Sequence, residues 1–140
     1  MTDLLSAEAV IEIPFHDCDP MQVVWHGNYA RYLEVARCEL LRKIDYDYLQ
    51  MSESGYMWPI VDMRIKYVGS ALFMQKIHVK ATLKEYESRI KIDYLITDAD
   101  SGAKLTKATT VQVAVDLASK EMLFESPQVL LDKLAKVINL

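Results

Sequence analysis

The chain has 140 residues, 51% hydrophobic and 26% charged, with a formal net charge of −4. That is long enough for one domain with a core, too short for two, and its acidic balance without a basic stripe argues against nucleic acid as a partner. Two cysteines, Cys18 and Cys38, form neither a disulfide framework nor a zinc motif. The N-terminus lacks a signal-peptide pattern, and no segment approaches the roughly 20 apolar residues of a membrane span. A single cytoplasmic domain over residues 1–140, with no membrane partner, is expected.

From Ala9 to Phe15, the residues Ile11, Ile13 and Phe15 alternate with Glu12 and Pro14, which predicts a first strand near a sheet edge. Asp17 to His26 reads as loop. Gly27 or Asn28 then opens a helix in which Tyr29, Leu33, Ala36, Leu40 and Ile44 recur at helical spacing, with Val35 and Leu41 widening the stripe. Asp45 to Gly55 is polar and irregular, with room for a helical turn.

Strand patterns dominate after Gly55. Ile60 to Tyr67 is one candidate; Lys76 to Lys84 alternates with Ile77, Val79, Ala81 and Leu83 on one face. Arg89 to Thr97 places Ile90, Ile92, Tyr94 and Ile96 together, and Asp98 to Gly102 is a hairpin turn. Val111, Val113, Val115 and Leu117 alternate next. Pro127 starts a last amphipathic helix over Gln128 to Ile138. One buried helix followed by an antiparallel meander is an α+β arrangement in which a sheet of about five strands wraps the helix.

The chemistry concentrates between Phe15 and Arg37. Asp17 and Asp19 lie where the first strand ends, shortly before the helix begins. A carboxylate near the free amides of a helix start can attack or activate water while the amides hold developing negative charge. Asp19, fixed by the following Pro20, is the stronger candidate; as a lone residue it could equally be a turn aspartate. Cys18 could pair with His16 or His26 as a nucleophile, but the two flanking acids would raise its pKa. A metal site from His16, Asp17, Asp19 and His26 matches no dedicated spacing.

The run Asp17-x-Asp19-x-x-x-x-Val24-x-His26-x-x-Tyr29 closely resembles the signature of hotdog-fold acyl-CoA thioesterases of the 4-hydroxybenzoyl-CoA thioesterase family. The resemblance implies a hotdog fold, hydrolysis of acyl-CoA or acyl-carrier-protein thioesters, and no cofactor beyond the coenzyme A of the substrate. It also implies a homodimer or homotetramer with sites between protomers. Asp19 matches the essential carboxylate, as nucleophile or general base. Asp17 matches a structural aspartate, expected to organise the loop through side-chain to backbone hydrogen bonds.

His26 stands at the helix start, where its amide can polarise the carbonyl or its imidazole can move a proton. Gly27 would let a ligand approach closely, Asn28 would cap the helix, and Tyr29 would be core or pocket lining. Trp25 and Trp58 would shape an acyl cavity or simply pack. Arg89 and Lys91 fall where the family has a basic run for the nucleotide. Glu39 is the second candidate carboxylate, and Glu34 is expected to pair with Arg37. Two alternatives stand beside hydrolysis: a non-catalytic acyl-binding hotdog domain, and a hotdog dehydratase or hydratase.

Overall fold

A computed structural model of the protein describes residues 5–140. Five antiparallel strands form one sheet in the order β1-β4-β5-β6-β3, with β1 Leu5–Glu12, β3 Ile60–Tyr67, β4 Lys76–Glu85, β5 Ile90–Asp98 and β6 Lys104–Gln112. A short ribbon pairs β2 Tyr56–Met57 with β7 Val115–Asp116. The helices are α1 Tyr29–Lys43, α2 Tyr48–Glu53 and α3 Gln128–Ala135. The expected α+β arrangement, one long helix against an antiparallel sheet, is what the chain adopts.

The alternation in the middle strands has the predicted consequence. Ile77, Val79, Ala81 and Leu83 of β4 and Ile90, Ile92, Tyr94 and Ile96 of β5 are all buried. Against them α1 buries Tyr29, Tyr32, Leu33, Ala36, Arg37, Leu40 and Leu41, and it rests mainly on β1 and β4. Val35 lies outside that stripe and is exposed, so the buried face is narrower than expected. The helix ends with Asp45 in a left-handed conformation (φ 54°), donating to the Arg42 carbonyl, while the Tyr46 amide reaches back to Leu41. That paired closure satisfies the last carbonyls without a glycine.

Three boundaries differ from expectation. The first strand runs over Leu5–Glu12 instead of Ala9–Phe15: Pro14 has no amide for the ladder, and Phe15–Asp17 coil into a 3-10 turn that leaves Phe15 exposed. The late strand begins at Lys104 and stops at Gln112, because its inward residues Thr106, Thr110 and Gln112 hide the alternation. The last helix ends at Ala135, leaving Val137 exposed. The predicted hairpin closes as expected, with Asp98 Oδ2 accepting from the Ser101 amide at 2.7 Å and Gly102 at φ 76°.

Candidate active site

Residues 17–25 form a small hairpin instead of an open loop. Cys18 bridges Val24, the Asp19 amide donates to the Val23 carbonyl at 2.9 Å, and the Trp25 amide donates to the Asp17 carbonyl at 3.0 Å. Val23 also bridges Leu72, so the hairpin is fastened to the segment before β4. From its end the chain passes through a 3-10 turn, His26–Asn28, straight into α1.

The two aspartates have opposite surroundings. Asp17 is 2% exposed. Its Oδ2 accepts from the Tyr32 hydroxyl at 2.7 Å, and its Oδ1 takes a short charge-assisted bond from Arg31. Burial alone would raise its pKa; the Tyr32 hydroxyl and the Arg31 guanidinium outweigh that and hold the carboxyl below its usual range. The same burial, together with Asp17, pushes the Tyr32 phenol up. The loop is organised by Asp17 in a different way from that expected. Its carboxylate binds side chains, and its backbone carbonyl accepts from Asn28 Nδ2 at 2.9 Å and from Trp25.

Asp19 is half-buried, and one of its oxygens accepts from the Met21 amide at 2.9 Å. Among the described residues no cation pairs with it, so its second oxygen is open to a reacting group. No hydrogen bond joins it to His26.

The helix entry differs from the expected capped start. Asn28 already has helical angles (φ −84°, ψ −14°) and makes no capping bond; its Oδ1 accepts from Arg31 at 3.0 Å. No side chain caps the 3-10 turn, and the Asn28 amide is taken by Trp25. Among the described residues the His26 and Gly27 amides meet no acceptor, and they are left as open donors of a helical start. The close approach at Gly27 is taken by this chain's own Trp25: a Cβ on Gly27 would meet the indole ring at 2.2–2.7 Å. Trp25 itself is half exposed.

The His26 ring lies exposed between Trp25 and Tyr67, and its carbonyl accepts from the Tyr67 hydroxyl at 3.2 Å. Tyr29 is buried, with its hydroxyl accepting from the Ala71 amide. Val24, His26, Tyr29, Tyr67, Val68, Gly69 and Ser70 line an open cleft of about 250 Å³. Tyr67 carries no sequence signal that would have placed it here; its position on β3 brings it to the helix start.

Other expected residues lie elsewhere. Trp58 is a core residue, edge-on to Tyr46 with its indole N–H donating to the Tyr46 hydroxyl at 3.2 Å, not a cavity wall. Arg89 and Lys91 share Glu85, at 3.1 and 3.5 Å. They lie at the far end of β4 from the hairpin, roughly 30 Å away within one chain at the rise of an extended strand. Glu39 is held by Arg42, and Glu34 does not pair with Arg37, whose partners are tyrosines. Burial, then Asp17 and Asp19, push the Cys18 thiol up, which disfavours a thiolate nucleophile. Among the described residues no three His, Cys, Asp or Glu side chains converge as metal ligands would.

Comparison with known proteins bears on the family and the fold. YneP of Bacillus subtilis, whose name carries acyl-CoA thioesterase as a provisional assignment, is 28% identical over 110 residues, 78% of this chain and 79% of that protein. A DHNA-CoA thioesterase structure from Staphylococcus aureus superposes with a TM-score of 0.77 at 27% identity, covering 85% of this chain and 80% of that one. Slr0204, a 1,4-dihydroxy-2-naphthoyl-CoA thioesterase from Synechocystis, shares the fold with a TM-score of 0.83 at 19% identity, covering 94% and 97%. The sequence profile described as the thioesterase-like superfamily matches residues 13–134, which takes in the aspartate hairpin, α1 and all five strands from β3 onward. With that span matched and the helix-and-sheet layout shared with these solved structures, the chain is a hotdog-fold protein and belongs to the thioesterase-like superfamily.

Proposed function

We propose that this chain hydrolyses acyl-CoA thioesters to a free acid and coenzyme A, without metal or bound cofactor. The observation that carries the reading is the division between the aspartates: Asp17 is locked by Arg31 and Tyr32, while Asp19 keeps an unpaired carboxylate oxygen in the hairpin that leads into the helix start. Asp19 supplies the nucleophile or general base. The His26 and Gly27 amides polarise the thioester carbonyl and hold the oxyanion as charge develops on it. The relatives' names, acyl-CoA and DHNA-CoA thioesterases, support the same reaction class. Two free cysteines suit a reducing, cytoplasmic setting.

A panel of acyl-CoA esters, assayed by release of free thiol, tests this reading. Thiol release is the expected result. Acyl-CoA binding without turnover would instead make the protein an acyl-binding domain, and reversible hydration of an enoyl ester would make it a hydratase.

The working unit in this proposal is a dimer or tetramer. Strand β3 is a sheet edge whose Ile60, Val61, Met63 and Tyr67 are all exposed, 39–56%. An uncovered apolar edge is a template for strand pairing, and a second copy would cover it. Arg89 and Lys91 could meet the nucleotide of coenzyme A only if that copy brings this end of its sheet to the hairpin. Light scattering at micromolar concentration is expected to show a dimer or larger; a monomer would sink this part of the proposal.

A further inference from the structure

Arg37 is the unusual residue of the interior. It is 4% exposed, on the face of α1 that meets the sheet. Its Nε donates to the Tyr48 hydroxyl at 2.9 Å and its Nη1 to the Tyr94 hydroxyl at 3.3 Å. Tyr94 in turn shares a hydrogen with Thr110 at 2.7 Å. These partners are neutral. Among the described residues no carboxylate pairs with Arg37: Glu34 is exposed, and Asp47 binds the Tyr48 amide and Arg42.

A guanidinium carries five donors, and two are used here. A desolvated cation is costly unless it is paired, and hydroxyl groups do not supply the missing charge. What remains is one hydrogen of Nη1 and both of Nη2, charged donors of the kind that bind a carboxylate. A second observation points the same way. On the inner face of β6, the Thr106 hydroxyl is buried with no hydrogen-bond partner among the described residues, so it has a hydrogen to donate that the chain leaves unused.

The placement suits the remote end of an acyl group. Arg37 lies eight residues beyond Tyr29 on α1, about 12 Å along the helix axis, and the candidate oxyanion amides lie two to three residues earlier in the 3-10 turn, roughly 16–18 Å from Arg37. Helix α1 covers β1 and β4, whereas Met63 and Tyr67 of β3, paired with Thr110 and Thr106, stay about half exposed. An acyl group entering at the helix start can follow that less-covered side of the sheet.

We propose that Arg37, held by Tyr48 and Tyr94, is the anion-binding end of the acyl site, and that the preferred acyl groups carry a carboxylate remote from the thioester. This assignment rests on the thioesterase reading above. The matched probes are decanedioate against decanoate for binding, and the coenzyme A thioesters of the same two acids for hydrolysis. Titration calorimetry of the wild-type chain is expected to show decanedioate binding about tenfold more tightly than decanoate. The carboxylate-ended thioester should show a similar advantage in kcat/KM, expressed in KM because a remote contact is alike in ground and transition states.

Arg37→Gln should erase both ratios. Tyr94→Phe, which only loosens the guanidinium, should reduce them in part and keeps the test valid if the first variant does not fold. Equal binding of the two acids by the wild type overturns the proposal. So does an Arg37→Gln variant changed only in oligomeric state, which would assign the guanidinium to a subunit contact. Hydrolysis of both thioesters at equal efficiency removes the Arg37 assignment and leaves the thioesterase reading standing. Tight decanedioate binding that depends on Arg37, without turnover of any thioester, does the reverse.

Discussion

Asp19→Asn is expected to lower kcat by about two to four orders of magnitude while the fold and assembly stay intact. The substitution is nearly isosteric, and the amide oxygen can still accept from the Met21 amide, so the hairpin retains its side-chain anchor. Its backbone bonds to Val23 and Gln22 do not involve the side chain at all. What is lost is the carboxylate's ability to attack a carbonyl or accept a proton from water. The residual rate would come from the His26 and Gly27 amides and from binding alone. Steady-state thiol release, with circular dichroism and light scattering on the same preparation, makes the comparison. A folded variant with near-normal turnover would remove Asp19 from the mechanism and bring Glu39 forward. Cys18→Ser provides the contrast: with its thiol pushed up by burial and by two neighbouring acids, Cys18 should contribute little, and a large loss there would revive the cysteine reading.

The parts of this molecule that were legible in its sequence are those governed by short-range periodicity. The stripe Tyr29, Leu33, Ala36, Leu40 and Ile44 repeats once per helical turn, and all five residues are buried. The alternation in β4 and β5 works the same way at a period of two, and the turn at Asp98 carries its own side-chain chemistry. Contacts between distant positions were not legible. Asp17 finds Tyr32 fifteen residues later because the hairpin folds back on the first turns of α1, and no local pattern announces that pairing. Arg37 illustrates the same limit. Its helical neighbour Glu34 is the natural partner by spacing, yet the helix turns Arg37 inward to tyrosines from α2 and β5. Strand β6 was obscured because its core face carries Thr106, Thr110 and Gln112, which read as polar although all three are buried. Gly27 was read as a place for a ligand to approach closely, whereas the group that lies against it is the Trp25 ring, two residues away. Such local crowding depends on a rotamer, which residue type alone does not specify.

Asp17→Asn should destabilise the protein by about 2 kcal/mol at neutral pH, the scale of a charge-assisted hydrogen bond removed from a buried position. Tyr32 carries most of that effect, because it is buried with Asp17, whereas Arg31 is largely exposed and its pairing is screened by solvent. The asparagine would also set an amide donor against either Arg31 or Tyr32, both of which donate in the native site. The sign of the pH dependence follows from the direction of the shift. A carboxyl held below its ordinary value in the folded protein binds its proton more weakly there than in the unfolded chain. Its stabilisation is therefore fully present above the unfolded value, about pH 4, and is lost as pH falls through the lower folded value. Wild type and variant should differ in urea midpoint at pH 7 and converge as the medium is acidified below about pH 4. The backbone carbonyl of residue 17 would still hold Trp25 and Asn28, so thioester hydrolysis should suffer less than stability does. Equal midpoints at neutral pH would show that the Asp17 carboxylate does not hold the hairpin to α1. A loss of turnover as deep as that of Asp19→Asn, in a variant still folded, would mean that the chemistry had been assigned to the wrong aspartate.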